Sequence, residues 1–162
     1  MATAETSFKT GYKTLAVSSP AFSANGLIPS KYSCDSVNCN PPLDILHIPK
    51  EAKSLAIIVD DPDAPRGTWV HWVVWNIPVT TTIEENTVPG EQGTNDFHQS
   101  RYDGPCPPSG THRYSFKIYA LNQELDLKPG STKAQLEKAM SNYIIGYGEL
   151  VGLYKKTDDI MI

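Results

Sequence analysis

The chain has 162 residues, 40% hydrophobic and 20% charged, and 14 Lys and Arg against 18 Asp and Glu give a formal charge of −4. This length predicts one domain over 1–162, which can bury roughly 70% of the surface its unfolded chain exposes. The composition excludes a disordered chain, the lack of any Lys/Arg run excludes a broad nucleic-acid or anionic-membrane surface, and no apolar run approaches the roughly 20 residues of a membrane-spanning helix.

The N-terminal MATAETSFKTGYK has no apolar stretch of signal-peptide length, so a cytoplasmic protein is expected. Thr14–Val17 predicts a first strand, stopped by Ser18-Ser19-Pro20, and Asn25–Pro42 is dense in turn formers and reads as a long irregular connection. Ile45–Ile48 predicts a short strand. Leu55–Val59 is continuously apolar and reads as a central strand covered on both faces. Val70–Ile77 and Tyr114–Leu121 follow as β-branched and aromatic strands. Thr132 with Gln135 forms a capping box for a helix whose apolar stripe is Leu136, Ala139, Met140, Tyr143 and Ile144; Gly146 and Gly148 are expected to end it, and Leu150–Tyr154 to return as a strand. Short strands punctuated by 13 Pro and 11 Gly predict an antiparallel β-sandwich.

There are three cysteines, Cys34, Cys39 and Cys106. An odd count without a signal segment predicts no disulfide framework, with Cys34 and Cys39 as reduced thiols in a loop. No further soft ligands follow the pair at metal-site spacing.

Two segments differ from ordinary scaffold. The first is Asp60-Asp61-Pro62-Asp63-Ala64-Pro65-Arg66-Gly67, running on to His71; the second is Gly104-Pro105-Cys106-Pro107-Pro108-Ser109-Gly110-Thr111-His112-Arg113-Tyr114. Prolines restrict both loops, and rigid polar loops at strand ends are where sites are built. Strict strand alternation puts His71 on a face with Val73 and Trp75, opposite Val70, Trp72 and Val74, and groups His112 with Tyr114, Phe116 and Ile118, opposite Arg113. As metal ligands, Asp61, His71 and His112 lack the close carboxylate–histidine spacing of a facial triad. A nucleophilic site at Ser109 or Cys106 lacks a Gly-x-Ser-x-Gly elbow, and an EF-hand lacks its glycine and terminal Glu. An anion pocket fits better: two imidazoles that donate when protonated, the Tyr114 hydroxyl, backbone N–H groups of the second loop, and Asp61 to orient a histidine. Arg113, facing away, is expected to pair with a carboxylate of the Asp60–Asp63 loop.

Together these two segments resemble the signature regions of the phosphatidylethanolamine-binding protein family, most closely its bacterial and archaeal branch, often called Raf kinase inhibitor-like proteins. Ser19-Pro20-Ala21-Phe22, Pro41-Pro42-Leu43, His71–Pro78, Tyr119-Ala120-Leu121 and Leu150–Tyr154 also fit, so the likeness spans most of the chain. The resemblance implies a large central antiparallel sheet packed on a smaller one, few helices, and a small pocket at one sheet end. Carried over by position, Asp61, His71, His112 and Tyr114 line that pocket, Gly104, Pro105, Cys106 and Pro107 form its rim, and Asp63 and Arg113 support it. It further implies binding of phosphorylated head groups or small anions without catalysis and without a cofactor or metal. Members are described as lipid binders, kinase-cascade modulators and serine-protease inhibitors. The chain ends eight residues beyond Tyr154, short of the C-terminal helix that partly covers the pocket in eukaryotic members, so a more open site is expected.

The reading is therefore a cytoplasmic, non-enzymatic protein that binds a small anion (phosphate, a phosphorylated head group or a carboxylate), with a kinase or protease as protein partner and a homodimer left open. The alternative is a serine-protease inhibitor acting through an exposed loop. The outside alternative is a metal-dependent enzyme using Asp61, His71 and His112.

Overall fold

A strand with no polar alternation needs cover on both faces. In the computed structural model, which describes residues 12–156, the Leu55–Val59 run has that cover. Residues 1–11 of the segment read for targeting and the last six residues lie outside the described residues.

The elements in chain order are β1 (Lys13–Thr14), β2 (Ala16–Ser18), a 3-10 turn (Ser30–Tyr32), β3 (Leu43–Leu46), β4 (Ser54–Asp61), β5 (Trp69–Ile77), β6 (Thr82–Ile83), β7 (Glu91–Gln92), β8 (Thr111–Leu121), helix α1 (Lys133–Met140) and β9 (Ile144–Lys155). The six-stranded sheet has the order β1-β9-β8-β4-β5-β7 and the three-stranded one β2-β3-β6. Every pairing is antiparallel except β1 with β9. Among the described residues no helix is long and apolar enough to cross a membrane.

All eight residues of β4 are buried, and its two faces feed two separate cores. Leu55, Ile57 and Val59 join Trp72, Val74, Phe116 and Ile118 against the small sheet, where Leu43, Ile45 and Ile83 meet them. Ala56 and Ile58 join Val73, Trp75, Tyr119 and Leu121 under Leu136 and Met140 of α1. Trp72 and Trp75 thus occupy opposite faces as core residues.

Thr132 caps α1 through the capping box read from the sequence. The helix stops at Met140, not at Gly146: Tyr143 donates its N–H to the Met140 carbonyl, and Ile144 enters register opposite Leu121 of β8. The last strand is accordingly twelve residues long and runs through Gly146 and Gly148. Those glycines are close-approach sites instead of helix terminators: a Cβ on Gly148 would lie 2.4 Å from the Leu15 carbonyl oxygen.

Strict alternation fails in β5. Val59 pairs with Trp72 but Asp60 pairs with Val70, so His71 is the extra residue of a β-bulge. Val70 therefore falls with Val73 and Trp75, not with Trp72 and Val74. The predicted grouping of His71 with Val73 and Trp75 is corrected accordingly: the His71 ring packs edge-on against Tyr114, at 5.3 Å between centroids. One inserted residue brings this histidine to the face that carries His112 and Tyr114.

Candidate functional site

β4 ends in two carboxylates that pleat to opposite sides. Asp60 turns toward α1, where Lys117 and Lys133 donate to its Oδ2 at 3.0 and 2.9 Å. That triad, a buried carboxylate between two half-buried lysines, is scaffold joining β4, β8 and the start of the helix. Asp61 turns the other way. Its Oδ2 accepts from His112 Nδ1 at 2.6 Å and its Oδ1 accepts from the Asp63 N–H at 2.8 Å. The second contact curls the chain into the proline-bounded loop; the first fixes the His112 tautomer with the proton on Nδ1 and leaves Nε2 for a guest.

Asp63, next in the loop, accepts from the Arg113 backbone N–H and Nε at 2.9 Å each and from its Nη2 at 2.8 Å. This fork closes the first motif onto the start of β8. Hydrogen bonds from Arg113 hold the Asp63 carboxyl down at about 2.

His71 is set from the other side. Its Nδ1 donates to the Asp103 carbonyl at 2.6 Å, and its own carbonyl accepts from the Asp103 N–H and from Asn95 Nδ2. Burial pushes the His71 imidazole below the usual histidine range, so its Nε2 is an acceptor. Tyr114 lies between the two histidines, stacked beside His112 at 6.4 Å and meeting His71 edge-on. It is 1% exposed, and its buried hydroxyl has the Cys106 backbone and the Asp61 carboxylate nearby without a well-formed hydrogen bond to either. Burial first, and the Asp61 charge second, push its phenol above the ordinary value.

These groups form the floor of a cavity of about 310 Å³. Asp61, His71, His112 and Tyr114 all line it, with Cys106 and Pro107 at its edge. Gly104 and Pro105 do not. The Gly104 N–H donates to Asn38 Oδ1, a Cβ there would fall 1.9 Å from the Tyr32 carbonyl oxygen, and the Pro105 carbonyl accepts from the Cys34 N–H. Both residues fasten the rim loop to the 3-10 turn region, so the Gly104 N–H is not free for a ligand.

The expectation of unpaired thiols is overturned in the same place. Cys34 is bonded to Cys106 across a separation of 72 residues, and Cys39 is the free, buried thiol. The odd cysteine count pointed to reduced thiols, but hydrogen bonds between two distant loops bring Cys34 beside Cys106. Burial raises the Cys39 thiol above its ordinary value.

Sequence reasoning left out Ala64, Pro65, Arg66, Trp69, Phe97 and Pro108, which complete the cavity wall. Five of these sit inside or beside the two motifs and were legible as neighbours. Phe97 had no such signal. It arrives on a loop organised by Asn95, whose Oδ1 accepts from the Phe97 and Gln99 N–H groups. Among the described residues no three His, Cys, Asp or Glu side chains are grouped to hold a metal ion.

Comparison with known proteins gives the family and the fold. A family profile described as phosphatidylethanolamine-binding protein matches residues 18–155. UPF0098 protein PH1269 of Pyrococcus horikoshii is 52% identical over 150 residues, covering 85% of this chain and 75% of that one. A UPF0098 protein of Chlamydia trachomatis is 44% identical over 147 residues, covering 86% and 98%. Among solved structures, the phosphatidylethanolamine-binding protein homologue CT736 from Chlamydia trachomatis superposes with a TM-score of 0.85 at 42% identity, covering 89% of this chain and 99% of that one. Escherichia coli YbcL, described as a new member of the mammalian family, superposes with a TM-score of 0.81 at 28% identity over 88% and 99%.

Proposed function

The chain belongs to the phosphatidylethanolamine-binding protein family, and from that premise we propose that it is a non-catalytic binding protein whose pocket takes a phosphate or carboxylate group. The observation that carries this reading is the convergence of His71, His112 and the Tyr114 hydroxyl on one cavity. An anionic oxygen there can accept a hydrogen bond from the phenol. His112 sits beside it with Nδ1 engaged by Asp61, so a proton on Nε2 makes the ring a charged donor toward the same oxygen. His71, neutral by burial, offers an acceptor instead, which suits the remaining O–H of a singly protonated phosphate.

Acetate tests this cleanly, because its carboxylate stays ionised from pH 5.5 to 8.5 and any slope belongs to the protein. Titration calorimetry is expected to give an affinity that weakens as pH rises, since binding takes up the proton that charges the imidazole. His112→Ala is expected to abolish binding while the protein stays folded. Equal affinity across the range contradicts histidine protonation as the driver, and undiminished binding by the variant contradicts the site itself.

A further inference from the structure

We infer that the Cys34–Cys106 disulfide is a site of reversible exchange with a small thiol, and that exchange there frees the segment 106–110 while the sheets stay intact. Three observations carry this, and none depends on what the cavity binds. The first is access. Both bonded cysteines are exposed, whereas Cys39 is buried and burial favours its protonated, unreactive thiol. A thiolate must reach a sulfur to attack it, so exposed disulfides exchange and packed ones resist. The chemistry is therefore confined to the Cys34–Cys106 pair.

The second is how unequally the two ends are fastened. Cys34 sits in a tied turn: Ser33 donates its N–H to the Ser30 carbonyl, Cys34 to the Pro105 carbonyl, and Asp35 to Ser33 Oγ. Ahead of Cys106 the chain is tied as well, with the Tyr102 hydroxyl donating to the Tyr32 carbonyl and the Gly104 N–H to Asn38 Oδ1. Pairing resumes at Thr111, opposite Lys155. Between these anchors the segment 106–110 has no backbone-to-backbone hydrogen bond to a described residue, and of its five residues only Pro107 is buried. The disulfide is the clasp that holds this stretch. The third observation is position: neither cysteine belongs to either hydrophobic core, so opening the bond removes no packing from β4, β5, β8 or β9.

The exchange balances. The small thiolate attacks one sulfur, the Cys34–Cys106 bond breaks as a mixed disulfide forms, and the other cysteine leaves as a thiolate that takes a proton. A second small thiol resolves the mixed disulfide. Two small thiols are oxidised to their disulfide, and the protein pair is reduced by two electrons.

The experiment treats the native full chain with glutathione, traps thiols with a maleimide and locates the label by mass spectrometry. Cys34 and Cys106 are expected to be labelled, and Cys39 at least roughly tenfold more slowly, since it waits on opening of the fold. Oxidised glutathione is expected to restore the bond. In the reduced protein the ¹⁵N heteronuclear NOE is expected to fall at Cys106, Ser109 and Gly110 and to hold at Tyr102, Asp103 and Gly104, with the sheet amides still dispersed. The double variant Cys34→Ser/Cys106→Ser is expected to show the same pattern with no thiol added. A bond that glutathione leaves intact until denaturant is present is a permanent staple and overturns the inference. So does an NOE that stays unchanged across 106–110, or one that falls throughout the chain.

Discussion

Replacing Tyr114 by Phe separates a binding site from a piece of scaffold, because a binding role predicts lost affinity with little change in stability and a scaffold role predicts the reverse. The side chain is 1% exposed and its ring is held between two imidazoles, so Phe keeps the packing and deletes only the hydroxyl. The hydroxyl lines a cavity that a guest reaches, so water meets it in the free protein, and Phe is expected to move the melting temperature by less than about 4 °C in scanning calorimetry. The same atom is the proposed donor to the bound anion. A hydrogen bond to a charged acceptor contributes about 1.5–3 kcal/mol, so acetate affinity is expected to fall roughly tenfold to a hundredfold. A larger fall in melting temperature, or undiminished affinity, refutes the reasoning, since the hydroxyl would then have a structural partner or no role at the floor.

Three further outcomes follow from the same contacts. The Cys34–Cys106 link closes a loop of 72 residues, and chain entropy assigns such a closure about 4 kcal/mol; the double variant Cys34→Ser/Cys106→Ser should melt roughly 10 °C below the oxidised protein, and coincident melts contradict the pairing. Arg113→Ala should lower the melting temperature at neutral pH. Because Arg113 holds Asp63 at about 2 against an unfolded value of 3.8, this stabilisation is present above 3.8 and lost as pH falls toward 2, so the variant's acid loss in that window should be shallower; identical acid limbs contradict the clamp. His71 has its folded value depressed by burial below 6.5, so the unfolded chain takes the proton first and stability falls as pH drops below 6.5. His71→Phe should flatten that part of the melting-temperature profile, and an unchanged slope contradicts the buried neutral ring.

Much of the architecture was legible because it depends on local pattern. The apolar run at Leu55–Val59 read as a doubly covered strand, and Thr132 with Gln135 read as a capping box at a helix start. The failures share a cause: each depends on what a distant segment does. The helix stripe from Leu136 continues in sequence to Ile144, but pairing of Ile144 with Leu121 ends the helix a turn earlier. The glycines of β9 look like terminators until Leu15 is packed across them. His71 was assigned to the site from its motif while alternation sent it to the wrong face; a bulge that no spacing rule announces returns it to the cavity side. Cys34 and Cys106 are 72 residues apart, and only the hydrogen bonds linking Asn38 with Gly104 and Cys34 with Pro105 bring them side by side.

The most direct measurement is the ¹⁵N resonance of the imidazole ring nitrogens during an acetate titration at pH 7. Saturable binding is expected to move His112 Nε2 to its protonated position, with Nδ1 still held by Asp61 and His71 remaining neutral. If neither ring's Nε2 responds while acetate binds, the anion sits elsewhere and the pocket between the histidines is not the site.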